Sequence, residues 1–303
     1  MSGNKTFLHY SVLLWLMLAG CSSFSRRPPV VLMTDFGQKD GAVSAMKGVA
    51  YTVSDKLVIS DLTHEIEPFD IWAASYRLQQ TFKYWPTGTV FVVVVDPGVG
   101  SGRKSIVAKS RTGHYFVGPD NGVFTLVGDD VGWEEVRALD ESAYRRKGSE
   151  KSNTFHGRDL YAYVGAQLAD GQLKFSGLGE VYPTDKLVVF SYQKPVLEKG
   201  MLKGSVPVLD SYFGNVWTNI PRELLISQFP NARRFRLRIL NGTRRVYEGT
   251  LPLVDTFSGV REGAPLLYFN SLFNLSVALN RGNFAKKYRI ESGPRWTVEI
   301  LPK

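Results

Sequence analysis

Acidic residues follow several apolar runs of the sequence, at points where buried strands would end. Asp35 follows VVLMT, Asp96 follows FVVVV, and Asp61 lies within a third run, KLVISDLTH. Carboxylate oxygens are the ligands that divalent cations such as Mg²⁺ and Ca²⁺ prefer. Together with Asp40 and Asp120, these residues could form an oxygen-only metal site. One hypothesis for this chain is therefore a metal-dependent phosphoesterase.

Other motifs that carry chemistry fail on their spacing. GVGSGRKS, residues 98–105, has the composition of a phosphate-binding loop, but Arg103 separates the last glycine from the lysine. His64-Glu65 lacks the second histidine of a zinc-protease helix, and no Gly-x-Ser-x-Gly elbow is present. We therefore do not predict a nucleoside-triphosphate-binding protein with a phosphate-binding loop, a zinc protease or a serine hydrolase.

A cluster of arginines raises the question of nucleic-acid binding. The cluster comprises Arg233, Arg234, Arg236, Arg238, Arg244 and Arg245. FRLRIL alternates at the period of a strand, so a solvated hairpin face is favoured over a nucleic-acid site. We predict no nucleic-acid partner, and an anionic membrane surface is the favoured partner if one exists.

The first thirty residues resemble an export signal. A basic start at Lys5, a short apolar run and small residues are typical of a secretory signal peptide, and the run is too short to span a membrane. Leu18-Ala19-Gly20-Cys21 resembles the lipobox of bacterial lipoproteins, and Cys21 is the one cysteine of the chain. We predict a signal peptide over 1–20, lipidation of Cys21, a tether over 21–29, and anchoring at the outer membrane, on its periplasmic face.

The rest of the chain has the composition of a folded protein, with 44% hydrophobic residues in 303 and a formal charge of +9. Continuous apolar runs alternate with predicted helices over 39–53 and 70–82, which indicates an α/β domain with a buried parallel sheet. After about residue 190 the runs become short and turn-rich, and Asn241-Gly242 predicts a hairpin. We predict an α/β domain over 30–195 and an all-β barrel domain over 196–303.

Several motifs, in order, resemble the family of S-adenosylmethionine hydroxide adenosyltransferases, whose relatives are the fluorinases and chlorinases. The strings are Thr34-Asp35-Phe36-Gly37, Met46-Lys47-Gly48-Val49, Asp61-Leu62-Thr63-His64-Glu65-Ile66, Pro68-Phe69-Asp70, Val95-Asp96-Pro97-Gly98-Val99-Gly100, Gly118-Pro119-Asp120-Asn121-Gly122, Thr154-Phe155-His156-Gly157-Arg158-Asp159, Phe213-Gly214-Asn215 and Thr218-Asn219-Ile220. The resemblance implies a Rossmann-like N-terminal domain, a C-terminal β-barrel, and homotrimers with sites between subunits. It also implies attack of water on the ribose C5′ of S-adenosylmethionine, which releases adenosine and methionine without a cofactor.

By position in these motifs, the residues that activate water resemble Asp70, Arg77 and His156. Asp70 and Arg77 are seven residues apart on a predicted helix and therefore share a face. A guanidinium beside the water would stabilise developing hydroxide, the carboxylate would fix the guanidinium, and the imidazole would accept the proton. His156 also favours the hydroxide branch, because the halide-using relatives carry an aromatic or other residue at that position.

The substrate-binding residues are likewise inferred from the resemblance. Asp35 would accept both ribose hydroxyls, and Phe69 would lie against the sugar and sulfonium. The residues that resemble adenine and methionine contacts are Phe213, Asn215, Phe257, Asp210 and Ser271. Ser271 is followed by Leu272 and Phe273 where the family has small residues, so we expect crowding at the methionine end.

Two further hypotheses accompany the hydrolase. A non-catalytic, lipid-anchored nucleoside-binding protein is suggested by the export signal, because S-adenosylmethionine is made in the cytosol. The metal-dependent phosphoesterase rests on the aspartate cluster. The Asp70, Arg77 and His156 set favours the hydrolase, because a binding protein needs none of it.

Overall fold

The computed structural model describes residues 27–303 of the chain. The predicted signal peptide over 1–20, Cys21 and most of the predicted tether lie outside these residues. Within residues 27–303, no helix is long and apolar enough to cross a membrane.

The N-terminal half forms one seven-stranded mixed sheet with helices on both faces. Its strands are β1 (Val30–Thr34), β2 (Ile59–Thr63), β3 (Val90–Val94), β4 (Ser105–Ser110), β5 (Tyr115–Pro119), β6 (Trp133–Ala138) and β7 (Glu180–Val181). Its helices are α1 (Ala42–Val53), α2 (Ile71–Thr81), α3 (Thr125–Val131), α4 (Glu141–Tyr144) and α5 (Tyr163–Asp170), the last preceded by a π-helical turn, Gly157–Ala162. The helices predicted over 39–53 and 70–82 are thus confirmed as α1 and α2.

The apolar runs form the parallel part of this sheet, in the order β2-β1-β3-β5. Alternate residues of β1 face opposite layers: Leu32 packs toward α1 and α5, and Met33 packs toward α2. Every residue of β1 and β3 is buried, and burial on both faces explains why these two strands are almost continuously apolar, whereas β2 lies at the edge of the sheet and is only partly buried. The remaining strands, β4, β6 and β7, pair antiparallel, so the sheet is mixed and not wholly parallel as predicted.

The C-terminal half forms two antiparallel sheets. One contains β10 (Val208–Leu209), β11 (Val216–Pro221), β14 (Pro265–Phe269) and β15 (Asn274–Leu279), and the other contains β8 (Val196–Glu198), β9 (Met201–Val206), β12 (Arg234–Asn241), β13 (Arg244–Pro252) and β16 (Gly293–Pro302). Two short helices, α6 (Arg222–Gln228) and α7 (Phe284–Tyr288), accompany them. Apolar side chains of both sheets meet in one core.

The predicted barrel is not closed, because hydrogen bonding stops where the two sheets would join. A single bridge between Leu253 and Leu267 connects β13 to β14. Pro252 and Pro265 flank this junction, and a proline has no N–H to extend a ladder. The chain changes sheets at Pro207, between β9 and β10. The finding corrects the predicted barrel to two sheets that share a core.

The predicted hairpin is confirmed at Asn241-Gly242, where Gly242 has a φ of +59°. Arginines of β12 alternate outward, and Arg236 and Arg238 form ion pairs with Glu248 and Glu299. These pairs agree with the interpretation of the basic cluster as a solvated hairpin face.

Candidate active site

The carboxyl ends of β1 and β2 bring three predicted site residues together. Asp35 follows β1, and its Oδ2 accepts a hydrogen bond of 2.9 Å from the backbone N–H of Phe69. Asp70 follows as the N-cap of α2, where its Oδ1 accepts from the N–H of Ala73 at 2.8 Å. Asp35, Phe69 and Asp70 therefore lie at one edge of the sheet, where open α/β sheets bind ligands.

Phe69 has a strained and exposed conformation. Its φ is +71°, a left-handed backbone that costs a non-glycine residue about 1–3 kcal/mol, and its side chain is 69% exposed. The hydrogen bond to Asp35 holds this conformation in place. An aromatic ring presented to solvent at such a cost is typical of a contact surface for a ligand or partner.

A partly buried network of polar side chains lies at the ends of β1 and β2, next to Asp35. The hydroxyl of Thr34 lies 2.9 Å from Nδ1 of His64, and Nε2 of His64 lies 3.0 Å from Oδ1 of Asp61. Burial alone would raise the pKa of Asp61, but hydrogen bonds from Lys47 and His64 lower it below its ordinary value. Thr34 is fully buried, so this Thr-His-Asp arrangement positions the strand ends and has no accessible nucleophile.

Arg77 lies two turns along α2 and faces the C-terminal half. Its guanidinium donates to Oε1 of Gln80 at 2.9 Å and to the hydroxyl of Ser211 at 3.1 Å. Within residues 27–303, no hydrogen bond or ion pair joins Asp70 to Arg77. The reason is local, since the Asp70 carboxylate is directed to the first turn of its own helix.

The C-terminal half holds a cavity of about 710 Å³ that collects four predicted residues. Its lining includes Asp210, Phe213, Asn215 and Phe257, and also Tyr212, Tyr268, Leu279, Asn280, Arg281, Gly282 and Asn283. The rings of Phe257 and Tyr268 lie 5.0 Å apart, centroid to centroid. Tyr268 lies in none of the family motifs, so it was not predicted as a site residue.

Asp210 shapes the loop that closes this cavity. Its Oδ1 accepts from the N–H groups of Tyr212 and Phe213, at 3.2 and 3.3 Å. Gly214 has a φ of +65°, and a side chain there would collide with Asn283. The turn leaves Phe213 69% exposed and Asn215 buried, so a flat apolar face and an amide both meet the cavity. That combination suits a heteroaromatic base.

Ser271 lies apart from this cavity. It is exposed in the turn between β14 and β15 and is not among the lining residues. Phe273, expected to crowd the pocket, has a φ of +59° and is 70% exposed. Within one chain, the side chain of Phe273 therefore does not fill the cavity.

His156 is buried at the same edge of the sheet as Asp35 but in a separate set of contacts. Its Nε2 lies 2.8 Å from Oε2 of Glu141 and 2.9 Å from Nη2 of Arg145. The next residue, Gly157, packs against Val94 at the end of β3 and Phe36 just after β1. In the described part of the chain, no hydrogen bond joins His156 to Asp70 or Arg77.

The aspartates that suggested a metal site each bind a different protein group and do not come together. Asp61 pairs with Lys47, Asp96 pairs with Arg103, and Asp120 accepts from the backbone of Val188. Among residues 27–303, no three metal-ligating side chains come together. The assembly on which the phosphoesterase hypothesis depended is therefore not formed in the described chain.

The sequence matches two family models in order. A model described as the SAM hydroxide adenosyltransferase N-terminal domain matches residues 30–179, and a model of the C-terminal domain of that name matches residues 204–297. Together these cover most of the chain.

Named relatives fall into two groups. A protein named (R)-S-adenosyl-L-methionine hydrolase from Methanocaldococcus jannaschii is 35% identical over 226 residues, which cover 72% of this chain and 76% of the relative. A protein of the same name from Thermus thermophilus is 34% identical and covers 88% of this chain and 97% of its own length. A fluorinase from an Actinoplanes species is 28% identical and covers 89% of this chain and 97% of its own.

Solved structures show the same fold. The crystal structure of an uncharacterised conserved protein from Thermotoga maritima superposes with a TM-score of 0.79 at 34% identity, covering 90% of this chain and 99% of the other. A conserved hypothetical protein from Thermus thermophilus superposes with a TM-score of 0.69 at 32% identity, covering 90% of this chain and 100% of the other.

Proposed function

Because this chain belongs to the SAM hydroxide adenosyltransferase family, we propose that it hydrolyses S-adenosyl-L-methionine to adenosine and L-methionine. The observation that carries the proposal is the cavity that collects Asp210, Phe213, Asn215 and Phe257. Its volume of about 710 Å³ lies within the range of small-molecule sites, and its lining offers a stacking ring beside hydrogen-bonding groups. Relatives named as hydrolases support the hydroxide branch over the halide branch.

The reaction needs a competent nucleophile more than an activated leaving group. The water oxygen bonds to C5′, the C5′–S bond breaks, and its electron pair leaves with sulfur as the neutral thioether of methionine. The water loses one proton. In this proposal Arg77 stabilises the developing hydroxide, the Asp70 carboxylate fixes the Arg77 guanidinium in the complete site, and His156 accepts the proton.

The remaining residues hold the substrate. Asp35 accepts the two ribose hydroxyls, and Phe69 lies against the sulfonium, whose charge an aromatic face attracts. Phe213, Asn215 and Phe257 contact adenine. Asp210 and Ser271 bind the amino-acid end, with Ser271 contributed from its exposed turn.

We propose that the site is completed in a homotrimer, between the N-terminal half of one subunit and the C-terminal half of the next. One observation supports assembly. The rings of Phe69, in the N-terminal half, and Phe213, in the C-terminal half, are each 69% exposed, as expected of surfaces that a neighbouring subunit covers. Light scattering on the purified protein tests this, and a monomer with full activity would contradict it.

We also propose that Cys21 carries a lipid that anchors the protein at the outer membrane, facing the periplasm. The proposal rests on the lipobox-like sequence around the one cysteine. Cell fractionation with a Cys21→Ser variant tests it, because removal of the thiol is expected to release the protein from membranes.

The decisive assay separates products by chromatography after incubation with S-adenosylmethionine, with and without chelator and halide. Adenosine release that chelator does not affect is the expected result. A halogenated nucleoside would place the protein in the halide branch. Saturable adenosine binding without any product would favour a nucleoside-binding protein, and chelator-sensitive release of phosphate from a nucleotide would favour the phosphoesterase.

Replacing Phe213 with alanine is expected to weaken adenosine binding by roughly 10- to 100-fold, because base stacking on an aromatic side chain contributes about 1–3 kcal/mol. The ring is mostly exposed, so we expect little change in Tm. Titration calorimetry with adenosine measures the effect. Tyr84→Ala is the matched control, since Tyr84 is 77% exposed and lies outside the cavity lining.

A further inference from the structure

The described chain enters the fold at the edge of the parallel sheet that lies opposite the candidate active site. The carbonyl of Pro29 accepts a hydrogen bond of 3.0 Å from the N–H of Val90, the first residue of β3. Nε of Arg27 lies 2.5 Å from Oδ1 of Asp170, the last residue of α5, and the Asp170 side chain is only 10% exposed. The chain is therefore held against the N-terminal half from Arg27 onward.

The turns that precede the parallel strands meet around this entry point. The N–H of Val30 donates to the carbonyl of Val58, just before β2, at 2.9 Å. The N–H of Gly88, just before β3, donates to the carbonyl of Gly113, just before β5, at 3.0 Å. This surface, which we call the amino edge, comprises residues 27–29, 54–58, 85–89, 111–114 and 171–174. Asp35 follows the other end of β1, about 16 Å away for a strand of five residues.

A lipid on Cys21 would hold the amino edge close to a membrane. Cys21 precedes Arg27 by six residues, and six fully extended residues span at most about 20 Å. An α/β domain of this length is roughly 40 Å across. Because the connection is shorter than the domain is wide, the edge that carries Asp35 could not reach the bilayer while the amino edge pointed away from it.

The amino edge has an excess of positive charge. Lys56, Arg111 and Lys174 are exposed there, and within residues 27–303 none of the three forms an ion pair. Asp55 is the one carboxylate in these turns. Anionic phospholipid headgroups attract lysine and arginine side chains that lie within a Debye length of the surface. The charge of the amino edge therefore suits the membrane that the anchor would place beside it.

The opposite edge of the sheet has the reverse charge. The segments after β1 and β2, residues 35–41 and 64–70, form this carboxyl edge and carry five carboxylates and one lysine, Lys39. The carboxylates belong to Asp35, Asp40, Glu65, Glu67 and Asp70. In the described part of the chain, none of these five forms an ion pair. An anionic surface repels such an edge, so the charges and the short connection favour the same orientation.

The arginine-rich hairpin of β12 and β13 is the competing membrane surface. Arg236 and Arg245 pair with Glu248, and Arg238 pairs with both Glu248 and Glu299. This pairing reduces the positive charge that the three arginines present to an anionic surface. The hairpin also belongs to the C-terminal half, whereas the chain enters at the N-terminal half. The amino edge is therefore favoured over the hairpin.

We propose that the amino edge is the surface with which the anchored protein contacts anionic phospholipid headgroups, and that the candidate active site faces away from the bilayer. This orientation rests on the proposed lipidation of Cys21 but not on the proposed reaction. A site that opens away from the bilayer takes its substrate from the aqueous phase. That direction suits S-adenosylmethionine, whose sulfonium and amino-acid groups are charged.

Spin labels on the lipidated mature protein test the orientation in vesicles of phosphatidylethanolamine and phosphatidylglycerol. Lipidation consumes the thiol of Cys21, the one cysteine of the chain, so an introduced cysteine takes the label. Thr87→Cys reports on the amino edge, Lys39→Cys on the carboxyl edge and Thr243→Cys on the hairpin tip, and all three positions are exposed. A nickel chelate on the lipid headgroups should shorten the relaxation time of the label at residue 87 and leave the other two labels unchanged.

Removal of the unpaired cations tests the charge argument. A variant that combines Lys56→Gln, Arg111→Gln and Lys174→Gln is expected to shift the equilibrium from the contacting to the released orientation by about 100-fold, since each cation near an anionic surface contributes roughly a factor of five. The relaxation time at Thr87→Cys should then lengthen. Salt at ~1 M, where the Debye length is ~3 Å, should have the same effect on the protein that keeps its cations.

The matched control removes three other exposed arginines. Arg233, Arg234 and Arg244 lie on the hairpin and form no ion pair within residues 27–303. Their combined replacement by glutamine changes the net charge by the same amount and should leave the relaxation time at Thr87→Cys unchanged. An equal effect of this control would show that net charge, and not the amino edge, holds the protein at the surface.

Three further outcomes would overturn the proposal. Shortened relaxation at Lys39→Cys would show that the candidate active site faces the bilayer. Shortened relaxation at Thr243→Cys alone would assign the contact to the hairpin. Mass spectrometry that finds no lipid on Cys21 would remove the anchor and the orientation with it, while adenosine release by the same protein would still decide the proposed reaction.

Discussion

Replacing His156 with alanine is expected to reduce kcat for S-adenosylmethionine hydrolysis by about 1000-fold, with KM changed little. The physical reason is that loss of a positioned general base removes about 10²–10⁴ in rate, while the proposed substrate contacts lie on other side chains. Steady-state kinetics with adenosine detection measures both constants. A large increase in KM at constant kcat would instead place His156 in substrate binding.

His114→Ala provides the control for this variant. His114 is also buried, but it lies between Thr112 and the carbonyl of Trp85, away from the strand ends that hold Asp35. We expect its loss to lower Tm without lowering kcat of the folded protein. A His156→Ala protein that keeps wild-type kcat would refute the assigned role.

The second large effect concerns stability. Replacing Asp159 with alanine is expected to destabilise the protein by about 2 kcal/mol, because it removes the charge-assisted hydrogen bonds that a buried carboxylate accepts from arginines, whose side chains stay 29% and 36% exposed to water. The Asp159 side chain is fully buried and pairs with Arg158 at 2.7 Å and Arg146 at 3.4 Å. Urea unfolding measures the change, and Asp55→Ala, at an exposed turn, is the control.

The same aspartate gives a pH dependence of defined sign. Burial alone would raise the pKa of Asp159, but hydrogen bonds from Arg158 and Ser152 and the charge of Arg146 lower it. The native pKa is therefore below the unfolded value of about 3.9. The stabilisation is present above that value and is lost as pH falls through the native pKa. The difference in unfolding free energy between wild type and Asp159→Asn should thus shrink between neutral and acidic pH, and a constant difference would contradict this account.

The role of Asp159 also changes how its motif is understood. One motif comprises Thr154-Phe155-His156-Gly157-Arg158-Asp159, but its side chains contact different partners. His156 meets Glu141, whereas Arg158 and Asp159 pair with each other and with Arg146. A π-helical turn begins at Gly157 and places these side chains on different sides. Such turns are frequent at functional sites.

The cavity of the C-terminal half shows which of its residues a motif can predict and which it cannot. Phe213 and Asn215 are two residues apart, so their proximity follows from the chain. Phe257 is more than forty residues away, and its place beside them was inferred from the family resemblance. Tyr268 belongs to no motif, and only the pairing of β14 with β15 places it against Phe257.

Local features of this protein follow from the amino-acid sequence alone. Apolar runs predicted β1, β2 and β3, and helical spacing of apolar residues predicted α1 and α2. Both signals are local, because the residues of one strand or helix that face the core are close together in sequence. The ordered motifs predicted the family, and the resemblance named four residues that line the cavity, Asp210, Phe213, Asn215 and Phe257.

The pairing of polar groups that are distant in sequence depends on the three-dimensional path of the backbone. Glu141 meets His156 across fifteen residues, and Thr34 meets His64 across thirty. No periodic pattern in the sequence predicts such contacts, because each joins two single polar residues that only the folded backbone brings together. The two C-terminal sheets were decided in the same way, because a single bridge flanked by prolines joins the end of β13 to β14, where a closed barrel would need a continuous ladder.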